Sequence, residues 1–127
     1  MAGQIPGRRI SHGDSFFTDW FSRGGDSVLL RAESIVASGG SVTISIETRT
    51  EPGASISTVP STFLSNGSTP NLTLNATGIF TGYWRASTSG TDSLKAQVRL
   101  KVSFSGSAGN YHVIRIFAPV FFDNAKP

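Results

Sequence analysis

The sequence predicts an all-β protein, an antiparallel β-sandwich of jelly-roll type, and three observations predict it. Apolar residues recur with a period of two, Gly and Pro clusters fall between the alternating runs, and no window carries a capped helical pattern. The clearest run is 94–105, where Leu94, Ala96, Val98, Leu100, Val102 and Phe104 alternate with Lys95, Gln97, Arg99, Lys101, Ser103 and Ser105. Successive strand side chains point to opposite faces, so this run is a half-buried strand. Similar runs cover 27–37, 41–50, 72–76, 79–86 and 111–118. Several short strands at this spacing, divided by turn residues, are the pattern of a sandwich or jelly roll.

A chain of 127 residues fits one domain and is short for two. The division expected is an extended N-terminal arm over 1–12 and a single sandwich over 13–127. With 38% hydrophobic and 15% charged residues the chain can build a packed core. It has no cysteine, which excludes disulfides and thiolate metal sites. No apolar run approaches the roughly 18 residues of a membrane span, and the polar start is unlike a signal peptide, so cytoplasmic synthesis without a membrane anchor is expected. The 11 Lys and Arg against 8 Asp and Glu give a net charge of +3, without the single basic face, interleaved with aromatics, of a nucleic-acid reader. Nucleic acid is therefore not an expected partner.

Two hairpins are expected. In the first, a three-residue loop 38–40 sets Val36 opposite Val42, Ser34 opposite Ile44 and Ala32 opposite Ile46, which keeps one face apolar. The same register would pair Arg31 with Glu47 on the outer face. In the second, a loop at 106–109 joins 94–105 to 110–118. That returning strand is apolar on both faces, with Ile114 and Ile116 on one and Tyr111, Val113 and Phe117 on the other, interrupted by Arg115. Such a strand is either central and covered or lies under a neighbouring subunit. The tail Pro119-Val120-Phe121-Phe122 continues the pattern, and Phe121 and Phe122 should point to opposite sides. The stretch 51–70 reads as loops with short strand fragments.

Chemistry is sparse. His12 and His112 stand far apart with no carboxylate at ligand spacing, so no metal site is expected. No Gly-x-Ser-x-Gly elbow or positioned base activates any of the many serines. Asp14, Asp19 and Asp26 read as turn-capping residues. Glu33 and Glu47, which could sit on adjacent strands, read as partners of strand arginines rather than as a glycosidase pair. Three Asn-x-Ser/Thr patterns begin at Asn66, Asn71 and Asn75, which composition alone explains. No catalytic residue, metal or cofactor is assigned. The residues with a potential contact role are Arg8, Arg9, Arg115, Phe121 and Phe122 as interface elements, and Lys95, Arg99 and Lys101 as a basic strand face for an acidic partner. Trp20, Tyr83 and Trp84 form an alternative platform for stacking against sugar rings.

The order Asp14-Ser15-Phe16-Phe17-Thr18-Asp19-Trp20-Phe21, then Gly24-Gly25-Asp26, then Ile44-Ser45-Ile46-Glu47-Thr48-Arg49 resembles small β-sandwich proteins of tailed bacteriophage particles. So does the ending from Val98-Arg99-Leu100-Lys101-Val102 through Gly106 to Ala118-Pro119-Val120-Phe121-Phe122. Such proteins are head decoration or cement proteins. The resemblance implies a virion structural protein that binds and reinforces the head lattice as a dimer or trimer, with the major capsid protein or other virion subunits as partners. It also implies manufacture in the host cytoplasm, a place in the virion, and no catalytic residues. The alternative function is a carbohydrate-binding module or phage adhesin that uses Trp20, Tyr83 or Trp84, at least one of them lying flat and exposed, as a sugar platform.

Overall fold

The computed structural model describes residues 4–25, 27–59, 72–84 and 94–122, and within them every regular element is a strand. These are β1 (Ile5–Ser11), β2 (Ser15–Phe17), β3 (Phe21–Ser22), β4 (Ser27–Ser38), β5 (Ser41–Arg49), β6 (Ser57–Val59), β7 (Leu72–Leu74), β8 (Gly78–Trp84), β9 (Gln97–Ser105), β10 (Tyr111–Ile116) and β11 (Val120–Phe122). They form two antiparallel sheets.

In the first sheet β4 is central. Its residues Val28 to Ser34 pair with β8 on one side. On the other side β10 takes Ala32 to Ser38 and β11 takes Ser27 to Leu29, so that β10 and β11 are one broken strand along β4. β1 closes that sheet beyond β10. In the second sheet β5 and β9 are central over the full length of β5. The far edge of β9 carries β2 and β3, and the far edge of β5 carries β6 and β7. Each sheet is four strand positions wide, in the order β1, β10/β11, β4, β8 for the first and β2/β3, β9, β5, β6/β7 for the second. Successive long strands alternate between the sheets. This is the connectivity of a jelly roll, and the all-β sandwich expected from the alternating runs is what the chain forms.

That connectivity corrects both hairpins. β4 and β5 do not pair with each other, and neither do β9 and β10, because each short glycine-bearing loop carries the chain from one sheet to the other. An inward apolar row is satisfied equally by a partner beside it or by a sheet facing it, so alternation alone does not distinguish a hairpin from a corner. Gly39 and Gly40 both have positive φ, at 81° and 74°. A Cβ on Gly40 would lie 2.5 Å from the Phe104 ring and 2.8 Å from the Ser105 carbonyl oxygen, so the corner admits only glycine there. The inward set was read correctly for Ala32, Val42, Ile44 and Ile46, all buried, but Val36 is 40% exposed. The pairing of β10 with β4 shifts between Val113 and Ile114, leaving Ile35 as the extra residue of a β-bulge that reverses the parity of β4. The expected Arg31–Glu47 pair does not form. Glu33 and Glu47 lie in different sheets, and each holds another arginine.

The core lies between the sheets. Val28, Leu30, Ala32, Trp84, Ile114, Ile116 and Ile10 come from the first sheet, and Val42, Ile44, Ile46, Val98, Leu100 and Val102 from the second. Burying each of the larger aliphatic side chains contributes about 1.5–3 kcal/mol. Of the stretch 1–12, residues Ile5–Ser11 form β1, and Ile10, only 1% exposed, gives it a core contact that no periodic pattern announced. Within 51–70 the described residues hold one strand, β6, and the positions from 60 to 71, including Asn66 and Asn71, lie outside the described residues.

The interior holds one buried polar group of note. His112 is fully buried, with Nδ1 2.7 Å from Ser34 Oγ and Nε2 3.1 Å from the Gly40 carbonyl oxygen. A carbonyl only accepts, so Nε2 donates to Gly40, while Nδ1 pairs with the Ser34 hydroxyl, which can donate or accept. The ring also packs edge-on against Phe104. The His112 side chain thus ties β4, β10 and the Gly39–Gly40 corner together.

Candidate functional site

Among the described residues no group of three or more His, Cys, Asp or Glu could hold a metal ion. The residues that carry recognition chemistry lie instead on the two outer faces of the sandwich.

The outer face of the first sheet follows from the registers. Its rows are Arg9, Val113 and Val36; then Arg115, Glu33 and Ile79; then Phe117, Arg31 and Thr81; then Val120, Leu29 and Tyr83. Phe122 completes it, in an edge-on contact with Tyr83 at a centroid distance of 6.4 Å. Ile79 is 52% and Val120 54% exposed, and the bulge adds Ile35 and Val36 at the other end. The large exposed apolar side chains of the described residues therefore concentrate on this sheet, with only Phe17 and Ile56 elsewhere. Arginines thread between them. Arg9 lies over Tyr111 at 4.4 Å, and Arg31 and Arg115 both lie over Phe117, at 5.1 and 4.8 Å. Arg115 also donates from Nε to Glu33 at 2.7 Å. The aromatic row of β10 is thus half-covered by guanidinium groups of its own chain.

The outer face of the second sheet is polar and basic. One row is all hydroxyl: Ser15, Ser103, Thr43 and Thr73. The next holds Phe17, Lys101 and Ser45, then Arg99, Glu47 and Thr58, then Ser22, Gln97 and Arg49. A stack of rings and guanidinium groups crosses these rows. Arg99 lies 3.9 Å from the Phe17 ring centre and 4.6 Å from that of Trp20, and Arg49 lies 4.1 Å from Trp20. Arg99 donates from both Nε and Nη2 to Glu47 Oε1 at 2.8 Å. Arg49 donates from Nε to the amide oxygen of Gln97 at 2.7 Å.

The sequence-assigned residues fall as follows. Arg8 and Arg9 diverge: Arg9 joins the outer face of the first sheet, whereas Arg8 reaches across the seam to the inward-facing Phe16, with its guanidinium carbon 3.7 Å from the ring centre. Phe121 and Phe122 do point to opposite sides. Phe121 packs on the core and against Phe21, and Phe122 joins the outer face. Arg115 and Phe122 thus share one face with Arg9. In the basic row, Arg99 and Lys101 stand on β9, and Lys95 precedes that strand, with its backbone amide donating to Thr48. Trp20, Tyr83 and Trp84 are not brought together. Trp20 lies half-buried on the second sheet under two arginines, Tyr83 half-buried on the first, and Trp84 is fully buried in the core.

Sequence reading missed Arg49, Ile79 and Leu29. For Arg49 the signal was present: Glu47 and Arg49 share the outward parity of β5 with Ser45. Leu29 and Ile79 were hidden because strands apolar on both faces show no alternation. No family model matches the chain, and no curated protein matches it.

Proposed function

We propose that this protein is a structural, assembling subunit, a virion protein of the capsid decoration or cement type that binds and reinforces a phage head lattice. The observation that carries the reading is the outer face of the first sheet, where Ile79, Val120, Val36 and Leu29 surround Tyr83, Phe117 and Phe122. A face on which apolar and aromatic side chains alternate with arginines has the composition of a protein contact surface. Burying it against a second copy or a lattice subunit removes the liability of a sheet that is apolar on both sides. The resemblance to phage particle proteins supplies the setting. The adhesin reading needs a flat, open aromatic platform, and the separation of Trp20, Tyr83 and Trp84 supports it less.

The test is mass spectrometry of purified virus particles together with sedimentation of the isolated protein. Detection at a stoichiometry near that of the capsid protein, and a dimer or trimer in solution, are expected. Absence from particles would overturn the virion assignment, and a monomer at every concentration would overturn the assembly reading.

A further inference from the structure

The two arginines stacked on Trp20 are held alike but neutralised differently. Arg99 is seated between Phe17 and Trp20 and is saturated by a carboxylate, because its Nε and Nη2 converge on Glu47 Oε1. Arg49 lies against the same indole, at 4.1 Å, yet its partner is the neutral amide oxygen of Gln97. Among the described residues its two Nη atoms have no partner. The acidic residues close to it in sequence do not complete it. Glu51 is exposed in the turn that follows β5, Asp19 is exposed on the connection that carries Trp20, and neither makes an ion pair among the described residues. Lys101 stands two outward rows from Arg49, beyond the Arg99–Glu47 row and beside Phe17.

We propose that Arg49 is the anchor of a second interaction surface, on the outer face of the second sheet, that captures a carboxylate of an acidic protein segment. The Glu47–Arg99 pair shows, within this chain, that such a stacked guanidinium takes a carboxylate; on Arg49, whose Nε is held by Gln97, the carboxylate would meet the Nη atoms. Stacking on Trp20 and the Gln97 bond fix the Arg49 side chain before a partner arrives, so little rotamer freedom remains to be lost on binding. No acceptor among the described residues takes its Nη donors, which suits them to a charge-assisted contact. Lys101 and the hydroxyl row Ser15, Ser103, Thr43 and Thr73 extend the surface for a second acidic group and for neutral hydrogen bonds. A nucleic-acid strand is the less suitable occupant. Arg99, the most central cation, is already neutralised, and Trp20 is covered by guanidinium groups rather than open for base stacking. The surface is separate from the apolar face of the first sheet, so it stands or falls independently of the assembly proposed there.

The test is titration of the full chain with an acetylated hexaglutamate peptide, a heparin hexasaccharide and an octathymidylate, followed by the side-chain Nε–Hε resonances of the arginines. Hexaglutamate should shift the Arg49 resonance, and Arg49→Gln should weaken its binding about tenfold, the loss of one charge-assisted contact. Arg31→Gln, on the opposite face, should leave binding unchanged. Arg49→Lys, which keeps the charge and loses the planar fork, serves if the glutamine variant does not fold, and should also weaken binding. Equal affinity of wild type and both Arg49 variants would overturn the proposal. So would tighter binding of heparin or octathymidylate than of hexaglutamate at the same salt concentration, which would assign the face to a glycan or a nucleic acid.

Discussion

The hydroxyl of Ser34 on β4 and Nδ1 of His112 on β10 lie 2.7 Å apart in the fully buried interior, although the sequence separates them by 78 positions. Removing either partner leaves the other buried without its bond, at a cost of about 1–3 kcal/mol. Ser34→Ala and His112→Phe should each lower the unfolding free energy by that amount. His112→Phe should cost more, since it also strands the Gly40 carbonyl. Urea denaturation of both single variants and the double variant should give a total smaller than the sum of the singles, because the two share one interaction. Strict additivity would mean that the bond contributes nothing.

The two carboxylate–arginine pairs should differ in weight. Glu47 and Arg99 are mostly buried, with side-chain exposures of 11% and 19%, whereas Arg115 in the pair with Glu33 is 45% exposed. Glu47→Gln should destabilise the fold by about 1.5–3 kcal/mol, the range for hydrogen bonds to charged groups. Glu33→Gln should cost under about 1 kcal/mol. Thermal unfolding at low and high salt is the check, with the Glu33 effect fading at high salt.

Charge placed on the apolar face should separate assembly from folding. Ile79→Lys and Val120→Lys fall on side chains more than half exposed, so each should alter monomer stability by no more than about 0.5 kcal/mol. Both should shift sedimentation toward monomer and reduce occupancy on particles. An unchanged oligomer would place the contact elsewhere on the molecule.

Asp14 should make stability depend on acid. Its carboxylate accepts from the Ser11 amide at 2.9 Å and from the Ser11 hydroxyl at 3.1 Å. Those two bonds, with smaller help from Arg8 and Arg9, hold its pKa below the ordinary value of 3.8. A group whose folded pKa is depressed stabilises the fold above its unfolded pKa, and the contribution is lost as pH falls through the folded value. Asp14→Asn should therefore lower the melting temperature at neutral pH, with the difference from wild type closing below about pH 4. A gap that stays constant down to pH 2 would show that the β1–β2 turn owes nothing to the carboxylate charge.

What the sequence disclosed and what it withheld divide along physical lines. Period-two alternation placed β5, β9 and the inner faces of β4 and β10, because each sheet has one face on the core. It could not say that Gly39–Gly40 turns a corner rather than a hairpin, since Val42, Ile44 and Ile46 bury themselves equally well in either arrangement. The parity of Val36 was lost for a different reason. A bulge inserts one residue without a compositional mark, and Ile35 looks like any other strand isoleucine. On the surfaces, Arg9, Arg115 and Phe122 fall on one face, whereas Arg8 and Phe121 turn inward. Trp20 and Trp84 went to opposite sides of the core wall, because indole surface is worth burying wherever the sheets leave room, and no local pattern says where that is.

The pairing of β1 with β10, from Ile5 opposite Ile116 to Ser11 opposite Tyr111, has a temporal consequence. β1 has no partner until β10, far downstream in the chain, has been made; β4 likewise waits for β8 and β10, and β5 for its long partner β9. Folding must close long loops before any of these ladders is rewarded, so the domain belongs among slow folders, on the scale of milliseconds to seconds. Until then the apolar inner rows of β4 and β8, with Leu29, Ile79 and Tyr83 on the other side, stand open to neighbouring chains.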